Sequence, residues 1–205
     1  FVMLGISTLT SFGMNAAVFG MVAHGLITGM LFFVAGSVKE RYHTLEIARL
    51  SGMLKQVPHL AWILGFCVMA SLGLPGLAGF WGEFPAILSA YSPMEGLSET
   101  TFRIYMVIAA MGTVLAAAYL LWLFQRTAFG EPTAEFGGST SDSHGHDDHS
   151  DHDDAHHSDI HDVTIYEWVA WTPLLIGIVL FGVMPNLLFK LIDPAVAAIV
   201  TQIGG

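Results

Sequence analysis

The sequence predicts an all-α, polytopic membrane protein, and three observations lead to this prediction. Only 12% of the 205 residues are charged, about half the roughly 25% of soluble domains, and the mean hydropathy is +0.62. Four apolar stretches reach the roughly 20 residues that a helix needs to cross a bilayer. One of them contains a cluster of glycines around a proline, which predicts a helix broken inside the membrane.

The elements follow from hydropathy and composition. Residues 1–8 are interpreted as the tail of a preceding transmembrane helix, and we expect the chain to be a C-terminal fragment, because it has no initiator methionine and no signal peptide. The remaining predicted elements are a transmembrane helix at 14–36, a cytoplasmic loop at 37–56, a broken transmembrane helix at 57–91, a transmembrane helix at 103–126, an acidic histidine-rich loop at 131–167, the last transmembrane helix at 168–190 and a C-terminal tail at 191–205.

The distribution of basic residues predicts which loops face the cytoplasm. Loop 37–56 contains four basic side chains, which are Lys39, Arg41, Arg49 and Lys55, whereas residues 92–101 contain none. By the positive-inside rule the first loop is cytoplasmic and the second lies on the opposite side. Counting onward, the histidine-rich loop is predicted to be cytoplasmic and the C-terminus to lie outside.

The broken helix is centred on "SLGLPGLAGFWGE", residues 71–83. Proline removes a backbone donor and glycine weakens the helix, so two half-helices joined by an unwound segment are expected. Inside a membrane, such a segment is tolerated where it packs in protein or lines a hydrated cavity. The residues predicted to form the break are Gly73, Pro75, Gly76, Gly79 and Gly82.

Glu83 ends this segment and is the first candidate for chemistry. A carboxylate at membrane depth is costly, and such residues usually serve ion or proton pathways. The alternative is that Glu83 lies near the outer interface and is simply solvated. The distance of Glu83 from both Tyr91 and the break favours the functional interpretation.

His24 lies near the middle of the 14–36 helix and is the second candidate. An imidazole can transfer protons near neutral pH and can use both ring nitrogens. Equally, it could be a structural histidine bonded to a carbonyl of a neighbouring helix, and the sequence leaves both interpretations open.

Residues 131–167 hold eleven of the seventeen acidic side chains, seven of the ten histidines and no lysine or arginine. Imidazoles with carboxylates can bind zinc, nickel or copper, but this segment has no fixed ligand spacing and few apolar residues. We therefore expect a disordered loop that binds metal at most incidentally. The histidines concerned are His144, His146, His149, His152, His156, His157 and His161.

Two motifs, "MVAHGLITGMLFFVAGSVKERYHT" and "GLPGLAGFWGEF", resemble the antiporter-like membrane subunits of respiratory complex I, the proton-pumping NADH:quinone oxidoreductase. The resemblance covers about residues 1–130, and the final span fits the last helix of the family. Relatives of the L, N and Mrp types usually have lysine where this chain has Glu83. The glutamate, with "AHG" 59 positions upstream, resembles the M-type subunits, the class of mitochondrial subunit 4.

This resemblance implies an antiporter-like fold with inverted repeats and a proton-translocating role. It implies that Glu83 is the terminal acid of the proton channel and that His24 belongs to the central hydrophilic axis. It implies no cofactor in this chain, with NADH, FMN, iron–sulfur clusters and quinone in partner subunits. The implied partners are other complex I membrane subunits, above all the L-type and N-type neighbours, together with lipid and no nucleic acid, in the bacterial inner membrane.

Two departures from the family pattern and three alternatives remain. Pro85 stands where relatives commonly have an aliphatic residue and is expected to extend the unwound region, and the histidine-rich loop is unlike the family's. The alternatives are an Mrp-type cation/proton antiporter subunit, a metal transporter fed by the histidine loop, and a purely structural membrane subunit. The transporter would need paired ligands within the spans, whereas His24 and Glu83 lie on different predicted helices.

Overall fold

A computed structural model describes residues 1–137 and 160–204. In these residues the secondary structure is helical throughout, as the sequence predicts. The helices are α1 (Val2–Ser7), α2 (Ser11–Tyr42), α3 (Met53–Gln56), α4 (Pro58–Ser71), α5 (Ala78–Ser89), α6 (Glu99–Ala128), α7 (Ile165–Val183) and α8 (Asn186–Gly204), with a 3-10 turn at Ala134–Phe136.

Four of the described helices are long and apolar enough to cross a membrane, judged by length and composition: α2, α6, α7 and α8. The all-α membrane architecture predicted from the sequence is therefore confirmed. Helix α2 is the centre of the bundle and packs on α1, α4, α5, α7 and α8. Its 32 residues span about 48 Å, which is long enough to contact these helices at different heights of the bundle.

Helix α2 begins and ends at recognisable signals. The Thr10 hydroxyl accepts a hydrogen bond from the Gly13 N–H at 3.1 Å and so caps the first turn. At the other end His43 adopts a left-handed conformation with φ of 52°, which stops the helix. The helix therefore continues six residues into the predicted loop 37–56, and Arg41 lies on it as a buried residue.

The predicted broken helix consists of α4, α5 and the unwound residues 72–77 between them. Helix α4 starts beside the C-terminal end of α2, where the Tyr42 hydroxyl donates to Gln56 Oε1 at 3.0 Å. Helix α5 ends beside the start of α2, where Ser89 faces Gly13. The two half-helices therefore run in succession along α2, antiparallel to it.

Pro85 does not extend the unwound region as expected, since it lies inside α5. Seven helical residues precede it, and the packing of α5 along α2 holds the helix through this position. The cost is local, because position 85 cannot donate a backbone hydrogen bond to the carbonyl of Trp81.

The C-terminal region also differs from the prediction of one helix at 168–190 followed by a tail at 191–205. Helix α7 ends at Val183 and α8 begins at Asn186, because Pro185 lacks an N–H and disfavours helical geometry at Met184. The predicted tail is helical because Leu188, Ile192 and Val196 bury one face of α8 against α2. The sequence analysis missed this helix because it took 168–190 as one continuous span and did not place a helix boundary at Pro185.

The predicted disordered loop 131–167 is ordered at both ends. Glu131 pairs with Lys55 and Glu135 with Arg49, while the ring of Phe136 lies edge-on to Tyr42 at 5.0 Å. Residues 160–164 lead directly into α7. Contacts with loop 43–57 hold the first end, and contacts with Arg41 of α2 and the start of α4 hold the second. Composition could not predict these contacts, and residues 138–159 lie outside the described part.

Candidate functional site

The site forms where the unwound segment meets the first turns of α5. Gly73 has a φ of +65° and Gly76 a φ of +94°, conformations that other residues rarely adopt. Gly73 also leaves room for the acid, since a methyl group there would lie 2.8 Å from Glu83 Oε2. The break therefore folds back around the carboxylate of Glu83.

Close backbone packing fixes α5 in this place. A methyl group on Gly20 of α2 would lie 3.3 Å from Gly82 Cα, and one on Gly82 would overlap the backbone of Gly20. Gly79 faces the carbonyl of Ala70 in the same way. Gly79 and Gly82, which the sequence analysis assigned to the break, therefore lie inside α5, where their lack of a side chain lets α5 approach α2 and the end of α4. Glu83 directly follows Gly82.

Glu83 borders a cavity of about 570 Å³ between α1, α2, α4, α5 and α6. Its polar lining includes four further side chains, which are His24, Thr28, Ser71 and Tyr119. The remaining lining is apolar or glycine. The structure therefore brings His24 and Glu83, from different helices, to one partly polar cavity at the level of the break.

The two candidates differ in their hydrogen bonding. The hydroxyl of Thr28, one turn further along α2, lies 3.2 Å from His24 Nδ1 and 3.3 Å from Nε2. His24 thus has a polar partner on its own helix, not the carbonyl of a neighbouring helix that the structural interpretation expected. In the part of the chain that the structure describes, Glu83 has no hydrogen-bond or ion-pair partner, although it is partly buried.

Thr28, Ser71 and Tyr119 are cavity residues that the sequence analysis missed. Only Thr28 carried a signal, because its position four residues after His24 places both on one face of a helix. Ser71 and Tyr119 reach the cavity through the packing of α4 and α6, and sequence spacing does not encode that packing.

A second polar cluster, which the sequence analysis also missed, lies at the N-terminal end of α7. The Arg41 guanidinium donates to both oxygens of Glu167, at 3.0 Å and 2.7 Å, and to the carbonyl of Ser37 at 3.1 Å. The Arg41 side chain is 2% exposed and that of Glu167 is 20% exposed. Ser37 and Thr164 also donate to Glu167, so this carboxylate is fully engaged. The capping-box spacing from Thr164 to Glu167 was the available sequence signal.

Asp162 completes this cluster at the start of α4. Its carboxylate accepts the backbone N–H groups of His59 and Leu60, at 2.9 Å and 3.1 Å, and contacts His59 Nδ1 at 2.7 Å. Burial by itself raises the pKa of Asp162, but the hydrogen bonds from His59, Val163 and Leu60 outweigh it and hold the pKa below its usual value. Asp162 therefore acts as the cap of α4 from a distant part of the sequence.

The predicted incidental metal ligands are almost all beyond the described residues. His144, His146, His149, His152, His156 and His157 lie outside them. Only His161 is described, and its backbone carbonyl accepts a hydrogen bond from Arg41 Nε at 2.7 Å. Within residues 1–137 and 160–204, no group of three or more His, Cys, Asp or Glu side chains is arranged to hold a metal ion.

Comparison with known proteins finds close relatives over most of the chain. The chain is 34% identical over 200 residues to NADH-quinone oxidoreductase subunit M of Rhodobacter capsulatus, covering 98% of this chain and 34% of that protein. It is 38% identical over 144 residues to NAD(P)H-quinone oxidoreductase chain 4 1 of Synechococcus elongatus, covering 70% of this chain and 26% of that protein.

The structure is similar to a chain of respiratory complex I from Thermus thermophilus, solved with bound NADH. The TM-score is 0.76 at 28% identity, and the match covers 100% of this chain and 37% of that one. The chain spans about a third of the length of the curated relatives it matches. A model of the family described as NADH:quinone oxidoreductase/Mrp antiporter, transmembrane, matches residues 1–115. The chain therefore belongs to the NADH:quinone oxidoreductase/Mrp antiporter transmembrane family.

Proposed function

We propose that this chain is part of the M-type proton-translocating membrane subunit of an NADH:quinone oxidoreductase. The observation that carries the proposal is the carboxylate of Glu83, which has no hydrogen-bond or ion-pair partner among the described residues and lies at a helix break beside a cavity shared with His24. The names of the relatives support the choice of complex, since they are subunits M and chain 4 of quinone oxidoreductases.

In the proposed mechanism, Glu83 holds the translocated proton and His24 delivers it. An imidazole can accept a proton on one nitrogen and release one from the other, and the Thr28 hydroxyl is close enough to either nitrogen to take part in the relay. The proton affinity of a carboxyl group responds to burial and to neighbouring charge. Charge changes elsewhere in the complex would therefore load and release the proton at Glu83.

The proposed setting extends to the rest of the complex. The subunit would lie in the bacterial inner membrane beside the L-type and N-type subunits, with loop 37–56 and the histidine-rich segment on the cytoplasmic side. NADH, FMN, iron–sulfur clusters and quinone would be bound by partner subunits, and this chain would carry no redox centre. The complex as a whole would be the translocase.

Glu83→Gln tests the proposal in membrane vesicles containing the assembled complex. Glutamine keeps the shape of the side chain, but its amide does not gain or lose a proton near neutral pH. We therefore expect NADH-driven proton translocation to fall at least tenfold. The matched control is Glu95→Gln in the exposed loop after α5, which should leave translocation unchanged. Undiminished translocation in the Glu83→Gln complex would sink the proposal.

An Mrp-type cation/proton antiporter subunit remains the second candidate, because the matching family model includes both classes. The names of the relatives above favour the oxidoreductase. Sodium-dependent proton movement in vesicles without NADH would instead support the antiporter.

A further inference from the structure

Trp81 and Glu83 occupy opposite sides of the same helix. Each residue of an α-helix turns the chain by about 100°, so side chains two residues apart point in directions about 200° apart. Glu83 faces Gly73 and the cavity, whereas the Trp81 indole N–H donates to the carbonyl of Gly182 in α7 at 2.8 Å. A contact made by Trp81 therefore bears on the direction in which Glu83 points.

Gly182 is a firm anchor for this hydrogen bond. A methyl group on Gly182 would lie 2.6 Å from the carbonyl carbon of Gly76, so α7 is in backbone contact with the unwound segment. The other end of α7 is held to α2 by the buried pair of Arg41 and Glu167. The Gly182 carbonyl is thus fixed both to the break and, through α7, to the central helix.

The glycine contacts of α5 set its distance from α2, and a hydrogen bond made by a side chain of α5 adds a restraint on its rotation. Gly82 and Gly20 set how closely the two backbones approach, but neither residue has a side chain that interlocks with the other helix. A rotation of about 20° moves a group at the helix surface, roughly 6 Å from the axis, by on the order of 2 Å. That displacement exceeds the range over which a hydrogen bond or proton transfer persists.

We propose that Trp81 is a positioning residue for Glu83, and that its hydrogen bond to Gly182 fixes the rotation of α5 so that the carboxylate faces the cavity shared with His24. The proposal rests on the proposed function, because it concerns the geometry of proton transfer at Glu83. Packing supports it, since the Trp81 ring lies edge-on to Phe189 of α8 at 6.4 Å. The indole therefore contacts α8 through its ring and α7 through its N–H.

Trp81→Phe is the test, measured in the assembled complex in membrane vesicles. Phenylalanine keeps an aromatic ring but loses the N–H, so we expect normal amounts of complex and a roughly threefold to tenfold slower NADH-driven proton translocation. The pH profile of translocation should also shift by roughly half a pH unit or more, because the proton affinity of a carboxyl group depends on its surroundings. The matched control is Trp62→Phe on α4, whose side chain is exposed and has no hydrogen bond among the described residues.

The outcomes separate this inference from the proposed function. A slower rate with a shifted pH profile in Trp81→Phe, and normal behaviour in Trp62→Phe, supports the positioning role. Unchanged translocation, a slower rate with an unmoved profile, or the same loss in Trp62→Phe overturns it while the role of Glu83 stands. If Glu83→Gln itself pumps normally, the proposed function fails and the positioning role fails with it.

Discussion

Glu83 and Glu167 are two carboxylates in one helical bundle with opposite surroundings. Glu167 receives hydrogen bonds from Arg41, Ser37 and Thr164 at one end of α7. Glu83, on α5, has none from the described residues and faces a cavity. The paired carboxylate can stabilise the fold but is not free to exchange a proton, whereas the unpaired one is suited to proton exchange and contributes little stability.

The largest expected effect comes from Arg41→Ala, which removes the partner of the paired carboxylate. Removing the cation leaves the largely buried carboxylate of Glu167 without its main partner, so we expect the free energy of unfolding to fall by about 2–4 kcal/mol. Thermal denaturation of the detergent-solubilised complex, with the amount assembled in membranes, measures this. Arg103→Ala is the control, because Arg103 forms only an exposed pair with Glu99 one turn away and a cation–π contact with Tyr91, and its loss should cost about 1 kcal/mol or less. Equal losses in the two variants would contradict the structural role of the buried pair.

Gly82→Ala changes the surroundings of the unpaired carboxylate, Glu83. The new methyl group overlaps the backbone of Gly20, so α5 must move away from α2, and we expect a loss of about 1–3 kcal/mol together with slower proton translocation. Gly112→Ala on α6 is the matched control, since nothing lies within 4 Å of its added methyl group. The control should be neutral or stabilising by up to about 1 kcal/mol. Stability is read from thermal denaturation, and an innocuous Gly82→Ala would show that the close approach of α5 is not required.

Asp162→Asn tests whether the charge of a hydrogen-bonded carboxylate in the paired cluster stabilises the fold. The pKa of Asp162 is lower in the folded protein than in the unfolded chain, so its stabilisation is present above the unfolded value of about 3.9 and is lost as the pH falls through the folded value. Asparagine also caps helices but does not titrate, so the variant should lack this acid-dependent loss, about 1 kcal/mol. Denaturation of the solubilised complex between pH 7 and pH 3 measures the difference. Parallel pH curves for the two proteins would exclude a stabilising charge on Asp162.

The sequence predicted those features that depend on local chemistry. The Gly-Pro segment predicted the break in the 57–91 helix, and the low charge content predicted the membrane class. The sequence did not predict the second break at Pro185 or the helix that follows, since one proline inside an apolar run also occurs within α5, where Pro85 leaves the helix intact. The same residue type has different outcomes because the surrounding packing, not the residue alone, decides whether the helix continues.

Among the polar residues, too, the sequence indicated those whose position follows from hydropathy and missed those that meet only through folding. The positions of His24 and Glu83 near the centres of their spans were evident from hydropathy, and the roles assigned to them stay predictions. The cluster of Arg41, Asp162 and Glu167 joins residues more than 100 positions apart. No local pattern records such a pairing, and a basic residue at the end of an apolar helix was therefore assigned to a solvated loop.

The contact between Gly76 and Gly182 also affects how the bundle can bend. It places the break between α4 and α5 next to the end of α7, so both interrupted helices lose their backbone hydrogen bonding at one level. Across that level only α2 and α6 continue as unbroken helices among the described residues. Bending of the bundle at this level would therefore be resisted mainly by α2 and α6.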